Sequence, residues 1–272
     1  MDILHYPFMQ HAITAGLIAS ILCGIMGSLV VVNRIVFLSG GIAHASYGGI
    51  GLALFLGMPY LAGAAGFALV SAILMAIVTM KARHRADAII GVMWAIGMAT
   101  GVILTDLTPG YNVDLMSYLF GNVLTVPESD LWIMGGMGVL VTLTVIFFYN
   151  EFLALSYDQE FARIRGVPVG PLYLLMIGML AVSIVMVIQV VGLILVIALL
   201  TIPPFIMEKR AKSLLHMMVG ASLLGAFFTL TGLALSCAFN LTSGASIVLV
   251  AGIFFFLSLL TEKINDARAK RV

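Results

Sequence analysis

The stretch Ile35 to Gly57, IVFLSGGIAHASYGGIGLALFLG, decides how this chain folds. Read as a helix, it places Gly41, Ala45, Gly49, Ala53 and Gly57 four apart, so one face has almost no side chain. Gly40, His44 and Gly48 form the stripe beside it. Small residues at that spacing let transmembrane helices approach closely. An imidazole set in such a seam is costly in hydrocarbon unless it faces a partner or a water-filled path. Two readings of His44 stand at this point: a ring satisfied by a neighbouring backbone carbonyl, and a functional group on a path through the membrane.

The rest of the chain supports a membrane setting. Its 272 residues are 62% hydrophobic and 9% charged, which excludes an ordinary soluble domain. Apolar runs of about 20 residues, each able to cross roughly 30 Å of hydrocarbon, predict an all-α polytopic helical membrane protein. Cys23 and Cys237 both lie in or beside apolar runs, so no disulfide framework is implied. No basic patch with interleaved aromatics points to nucleic acid. The first apolar run lacks a basic segment before it and a small-residue cleavage site, and is read as a retained span.

Nine spans are expected, near residues 11–32, 38–57, 60–80, 88–106, 131–149, 171–189, 191–207, 214–236 and 244–261, in one transmembrane domain covering 1–272. The first carries Ala12, Gly16, Ser20, Gly24 and Ser28, and the third Ala64, Ala68, Ala72 and Ala76, two more close-packing seams. Gly57-Met58-Pro59 suits a tight turn between adjacent helices. With the N-terminus outside, all 13 Lys and Arg residues fall on one side, which the positive-inside rule makes the cytoplasm. The run 171–207 is split only at Gln189 to Gly192; without a turn there the count becomes eight.

Two connections exceed a turn. The outer one, Leu107 to Asp130, carries Asp114, Glu128 and Asp130 with Asp106 just before it. Its centre, VDLMSYLFGNVL, reads as a short amphipathic helix across an acidic mouth that would attract cations; a plain solvated loop is the other reading. The inner one, residues 151–170, reads EFLALSYDQEFARIRGVPVG. Asp158 is placed to cap a short helix ending near Gly166, and Pro168 prevents its continuation. The apolar groups on that helix suit either docking of a soluble partner or packing onto the chain's own helix ends. Further on, Pro203 and Pro204 end an apolar helix and are candidates for a hinge or inner gate.

No P-loop, His-Glu-x-x-His or Gly-x-Ser-x-Gly motif occurs, and no carboxylate lies near the centre of a span. Metal-ligand candidates inside the membrane reduce to His44, Met93, Met98 and Cys23. An intramembrane enzyme would need a second catalytic group at the depth of His44, and none stands out. A purely structural protein would leave the inner loop unexplained.

Six segments, in order and spacing, resemble one family over nearly the whole chain: Ile35–Gly51, Asp87–Gly91 (DAIIG), Tyr118–Thr125 (YLFGNVLT), Leu155–Gly166 (LSYDQEFARIRG), Val191–Pro203 (VGLILVIALLTIP) and Ser243–Val248 (SGASIV). The sequence resembles the permease subunit of bacterial ABC importers for zinc, manganese or ferrous iron, with a type II importer-like fold. The resemblance implies two permeases, identical or paralogous, two ATPase subunits that hydrolyse the ATP, and an extracytoplasmic metal-binding protein. It implies a bacterial inner-membrane location, no permanently bound cofactor, and Zn²⁺, Mn²⁺ or Fe²⁺ as cargo. Tyr157, Asp158, Glu160, Phe161, Ala162 and Gly166 then belong to the helix that couples to the ATPase.

His44 matches a metal ligand of that family, whose companion aspartate lies four residues earlier. Here that position is Gly40. Three accounts follow. A non-identical second permease supplies the carboxylate; Ser39, Tyr47, Met93 or Asp106 completes a different site; or the cargo is a chelate or another small solute, with His44 mainly structural.

Overall fold

The computed structural model describes residues 6–81, 85–109, 121 and 126–269, with side chains to residue 263. Among these residues the chain is helical and has no strand. Four long helices come first: α1 Pro7–Val32, α2 Val36–Leu56, α3 Tyr60–Lys81 and α4 Ala86–Asp106. After the outer connection come α5 Glu128–Phe147, the short pair α6 Tyr149–Tyr157 and α7 Gln159–Ile164, and then α8 Val169–Val191. The chain closes with α9 Leu193–Glu208, α10 Leu214–Phe239 and α11 Ser243–Ala269. Asp114, most of YLFGNVLT and the expected amphipathic helix of the outer connection lie outside the described residues, as do His5 and His84.

Among the described residues, seven helices are long and apolar enough to cross a membrane: α1, α3, α4, α5, α8, α10 and the Ser243–Lys263 part of α11. The apolar α9 is shorter, at 16 residues. At 21 residues α2 has the length, but its glycines, serines, His44 and Tyr47 dilute its apolar character. The long apolar run does break: Gly192, at φ +82° and ψ 164°, separates α8 from α9. Only glycine adopts that backbone readily. Gly121, itself at φ +64°, lies against this junction, where an added Cβ would come within 2.7 Å of the Val191 carbonyl oxygen.

The small-residue stripes are helix seams. On α2, Gly48 meets the Gly97 carbonyl and Gly51 the backbone of Gly101, while Gly41 faces Ile90. Residue numbers rise together on the two helices, so α2 and α4 run parallel. On its other side α2 meets α3, where a Cβ at Gly63 would lie 2.5 Å from the Gly49 carbonyl. Numbers there run oppositely, and the tight turn at Gly57 explains why: left-handed at φ +67°, it ends α2 with Met58 N–H bonded to the Ala53 carbonyl at 2.8 Å. The alanine stripe of α3 is buried throughout. On α1, Gly16 faces Thr229 and Gly24 faces Ser222 of α10, and the Ser20 and Thr229 hydroxyls are 3.1 Å apart.

The prolines correct an expectation. Pro203 and Pro204 do not end their helix; α9 continues through them to Glu208, and both are buried. Pro204 lacks the N–H that would bond the Leu200 carbonyl four residues earlier. Gly27 of α1 approaches that same carbonyl, with Pro204 Cγ 2.8 Å from where its Cβ would be. Packing against neighbouring helices is one of the ways a membrane helix keeps prolines inside.

Candidate functional site

His44 lies in the middle of α2, facing α4. Its ring stacks on Trp94, with centroids 4.0 Å apart and planes inclined at 14°. Trp94 is held in turn by its indole N–H, which donates to Met98 Sδ at 3.1 Å, one turn further along α4. His44 Nδ1 is buried and has no hydrogen-bond partner among the described residues. No backbone carbonyl satisfies that nitrogen, so the first of the two readings fails for it. A buried, unpaired polar atom costs about 1–3 kcal/mol, and the aromatic stack recovers roughly 0.5–1.5 kcal/mol of it.

Gly40 is one turn earlier on the same stripe. Among the described residues a Cβ there would meet nothing within 4 Å. The position one turn before the imidazole is therefore open space, unlike the crowded seam glycines beside it.

The other candidate ligands do not gather at His44. Ser39 is buried and donates to the Val36 carbonyl of its own helix at 2.7 Å. Tyr47 is buried against Gly101. Met93 is half-buried and packs onto the core next to Trp94. Asp106 is exposed at the end of α4, twelve residues beyond Trp94. At 1.5 Å per residue that is about 18 Å, too far to share an ion with His44. Cys23 is buried in α1 as a free thiol. Among the described residues no three of His, Cys, Asp and Glu converge on a possible metal site. One imidazole with open space beside it suits transient contact with a passing cation more than retention.

Below this pair a cavity of about 910 Å³ opens at the end of the bundle that carries Arg34 and Arg163. Leu38 and Ile90 line it, and Asp87, Asp158, Glu160 and Tyr157 border it. Ile90 lies one turn, about 6 Å, before Trp94 on α4. The cavity thus ends about one turn short of the His44–Trp94 stack, with neither ring in its lining.

The inner loop forms the cavity's other wall. Asp158 caps α7, accepting from the N–H groups of Glu160 and Phe161 at 3.0 Å each. Gly166, left-handed at φ +82°, closes it, donating to the Arg163 carbonyl at 3.0 Å. Ala162 is fully buried, while Tyr157, Phe161 and Ile164 are 72%, 53% and 84% exposed. Three apart on α7, Phe161 and Ile164 make one apolar stripe facing outward, with Tyr157 exposed at the end of α6, Glu160 exposed beside it and the Arg165 guanidinium 5.6 Å from the Phe161 ring centre.

Trp94 was not among the sequence candidates, since nothing in a tryptophan beside Met93 marks it as facing a helix some fifty residues earlier.

Comparison with known proteins adds what the geometry leaves open. A family model described as the ABC 3 transport family matches residues 5–262. An uncharacterized membrane protein of Synechocystis is 51% identical over 256 residues, covering 94% of this chain and 91% of that protein. The manganese transport system membrane protein MntC of Halalkalibacterium halodurans is 32% identical, covering 100% of this chain and 96% of that one. Among solved structures, PsaBC from Streptococcus pneumoniae in complex with Fab superposes with a TM-score of 0.85 at 30% identity, covering 94% of this chain and 92% of that chain.

Proposed function

The chain belongs to the ABC 3 transport family, and on that premise we propose that it is the membrane-spanning subunit of an ATP-driven manganese importer. The observation that carries this reading is the end-to-end match to a protein named for manganese transport. The metal is cargo, received from an extracytoplasmic binding protein and released to the cytoplasm. It passes His44 and leaves through the cavity below. Hydrolysis of ATP belongs to separate chains, which dock on the exposed Tyr157, Phe161 and Ile164. With Arg34, Arg85, Arg163 and Lys209 at one end, that end faces the cytoplasm and the N-terminus lies outside the bacterial inner membrane.

Gly40 supports a second reading. Open space beside a single imidazole suits a cargo that brings its own oxygen ligands, so a chelated metal is the alternative to the bare ion. Uptake into proteoliposomes containing the purified complex tests both. Accumulation of Mn²⁺ in preference to Zn²⁺ and Fe²⁺, with ATP present, supports the manganese reading. Uptake only of a chelate, or none of the three ions, overturns it.

A further inference from the structure

The connection from α1 to α2 is three residues, Asn33-Arg34-Ile35, and it is fully engaged. Arg34 N–H bonds the Val31 carbonyl and Ile35 N–H the Val30 carbonyl, each at 3.0 Å. This is the two-bond closure that normally places glycine in the left-handed position. Here Arg34 holds it, at φ +58°, while Ile35 and Val30 pack beneath. The turn has no slack, so movement of Asn33 is passed directly to α2.

Asn33 is tied to the inner loop. Its side-chain amide donates to Leu29 O at 2.8 Å, which caps α1, and to Ser156 Oγ at 2.9 Å. Met176 Sδ of α8 lies 3.8 Å from the same nitrogen. Ser156 is the penultimate residue of α6, two residues before the cap Asp158. Apolar contacts also seat α6, since Phe152 and Leu155 are buried. Such contacts are non-directional and permit sliding. The Asn33–Ser156 bond is directional and links the start of α2 to the inner loop.

We propose that Asn33 is a positioning residue that transmits movement of α6 and α7 to α2, and so to His44. The chain of groups is Asp158, Ser156, Asn33, the closed turn at Arg34, and α2. This rests on the reading of α7 as the ATPase-docking element. Removing the bond should leave the complex assembled and hydrolysing ATP while less manganese moves per ATP.

The test uses the complete complex in proteoliposomes, measuring Mn²⁺ accumulated and ATP hydrolysed together, for wild type, Asn33→Ala, Ser156→Ala and the double variant. Ser156→Ala leaves the Leu29 cap in place, so it separates transmission from capping. Each single variant should lower the Mn²⁺-to-ATP ratio about fivefold, the lower end of measured couplings between sites. The double variant should lose no more than either single, as residues acting through one bond are non-additive. Ser156→Thr, which keeps the hydroxyl, should retain the wild-type ratio. A wild-type ratio in Ser156→Ala, with Asn33→Ala only reducing the amount of complex, would overturn the proposal and leave Asn33 as a cap. Unchanged ATPase association in Phe161→Asp would overturn the docking reading itself, a result distinct from any change in the ratio.

Discussion

The imidazole of His44 lies flat on the indole of Trp94, 4.0 Å between ring centres and 14° between planes. A ligating histidine is usually aimed by a hydrogen bond from its other ring nitrogen. His44 Nδ1 has none, and the flat stack is what fixes the ring plane. Trp94→Leu should therefore raise the KM for Mn²⁺ uptake by about two- to tenfold, the range that an aromatic pair of roughly 0.5–1.5 kcal/mol allows. Trp94→Phe should fall between. Equal kinetics for Trp94→Leu and wild type would make the stack a packing contact alone.

His44→Ala should abolish Mn²⁺ uptake without reducing the amount of assembled complex, because the α2 seam stays small. Normal uptake by that variant would remove His44 from the path.

Gly40→Asp enters open space, so it should fold as well as wild type. A carboxylate one turn from His44 adds a hard oxygen donor suited to Mn²⁺. Tighter Mn²⁺ binding to the purified protein, read by calorimetry, is the expected result; unchanged binding would show that the two positions do not face the same space.

The glycines divide into two classes that thermal unfolding can separate. A methyl at Gly51 would sit 2.7 Å from Gly101 Cα, and overpacking of that kind costs typically about 1–3 kcal/mol. At Gly178 in α8 nothing lies within 4 Å. Gly178→Ala should then gain about 0.5–1 kcal/mol from helix propensity. The expected order of Tm is Gly178→Ala, wild type, Gly51→Ala.

Asp158→Ala removes both bonds that start α7, a loss of about 1 kcal/mol for a cap. A frayed six-residue helix cannot present its stripe, so ATPase co-purification should weaken. Phe161→Asp, which places an unpaired charge in that contact, should weaken it further. Retention of the ATPase by both variants would move the docking surface elsewhere.

Seams were legible from spacing because a stripe four residues apart is a geometric property of one helix, and Gly16, Gly24, Gly41, Gly48 and Gly49 each meet a neighbour. The Asp158 cap was legible for the same reason: cap and helix are local. Pro203 and Pro204 were misread because their effect depends on what stands beside the freed carbonyl, and Gly27 is some 170 residues earlier. Trp94 and the open space at Gly40 were invisible for a related reason: both depend on how α2 and α4 are aligned in register.

That alignment has a mechanical consequence. Between α2 and α4 the contacts at Gly48, Gly51 and Gly97 are backbone or Cβ on backbone, with only the Tyr47 ring at Gly101 and Ile90 at Gly41 as side chains able to absorb a displacement. Sliding one helix along the other would force main-chain atoms through each other's van der Waals radii. The two are therefore a single stiff plank with the His44–Trp94 pair fixed to it. The proposed route past His44 would then widen or narrow where the plank meets helices with longer side chains, and the histidine would travel with its tryptophan whichever way the transporter is facing.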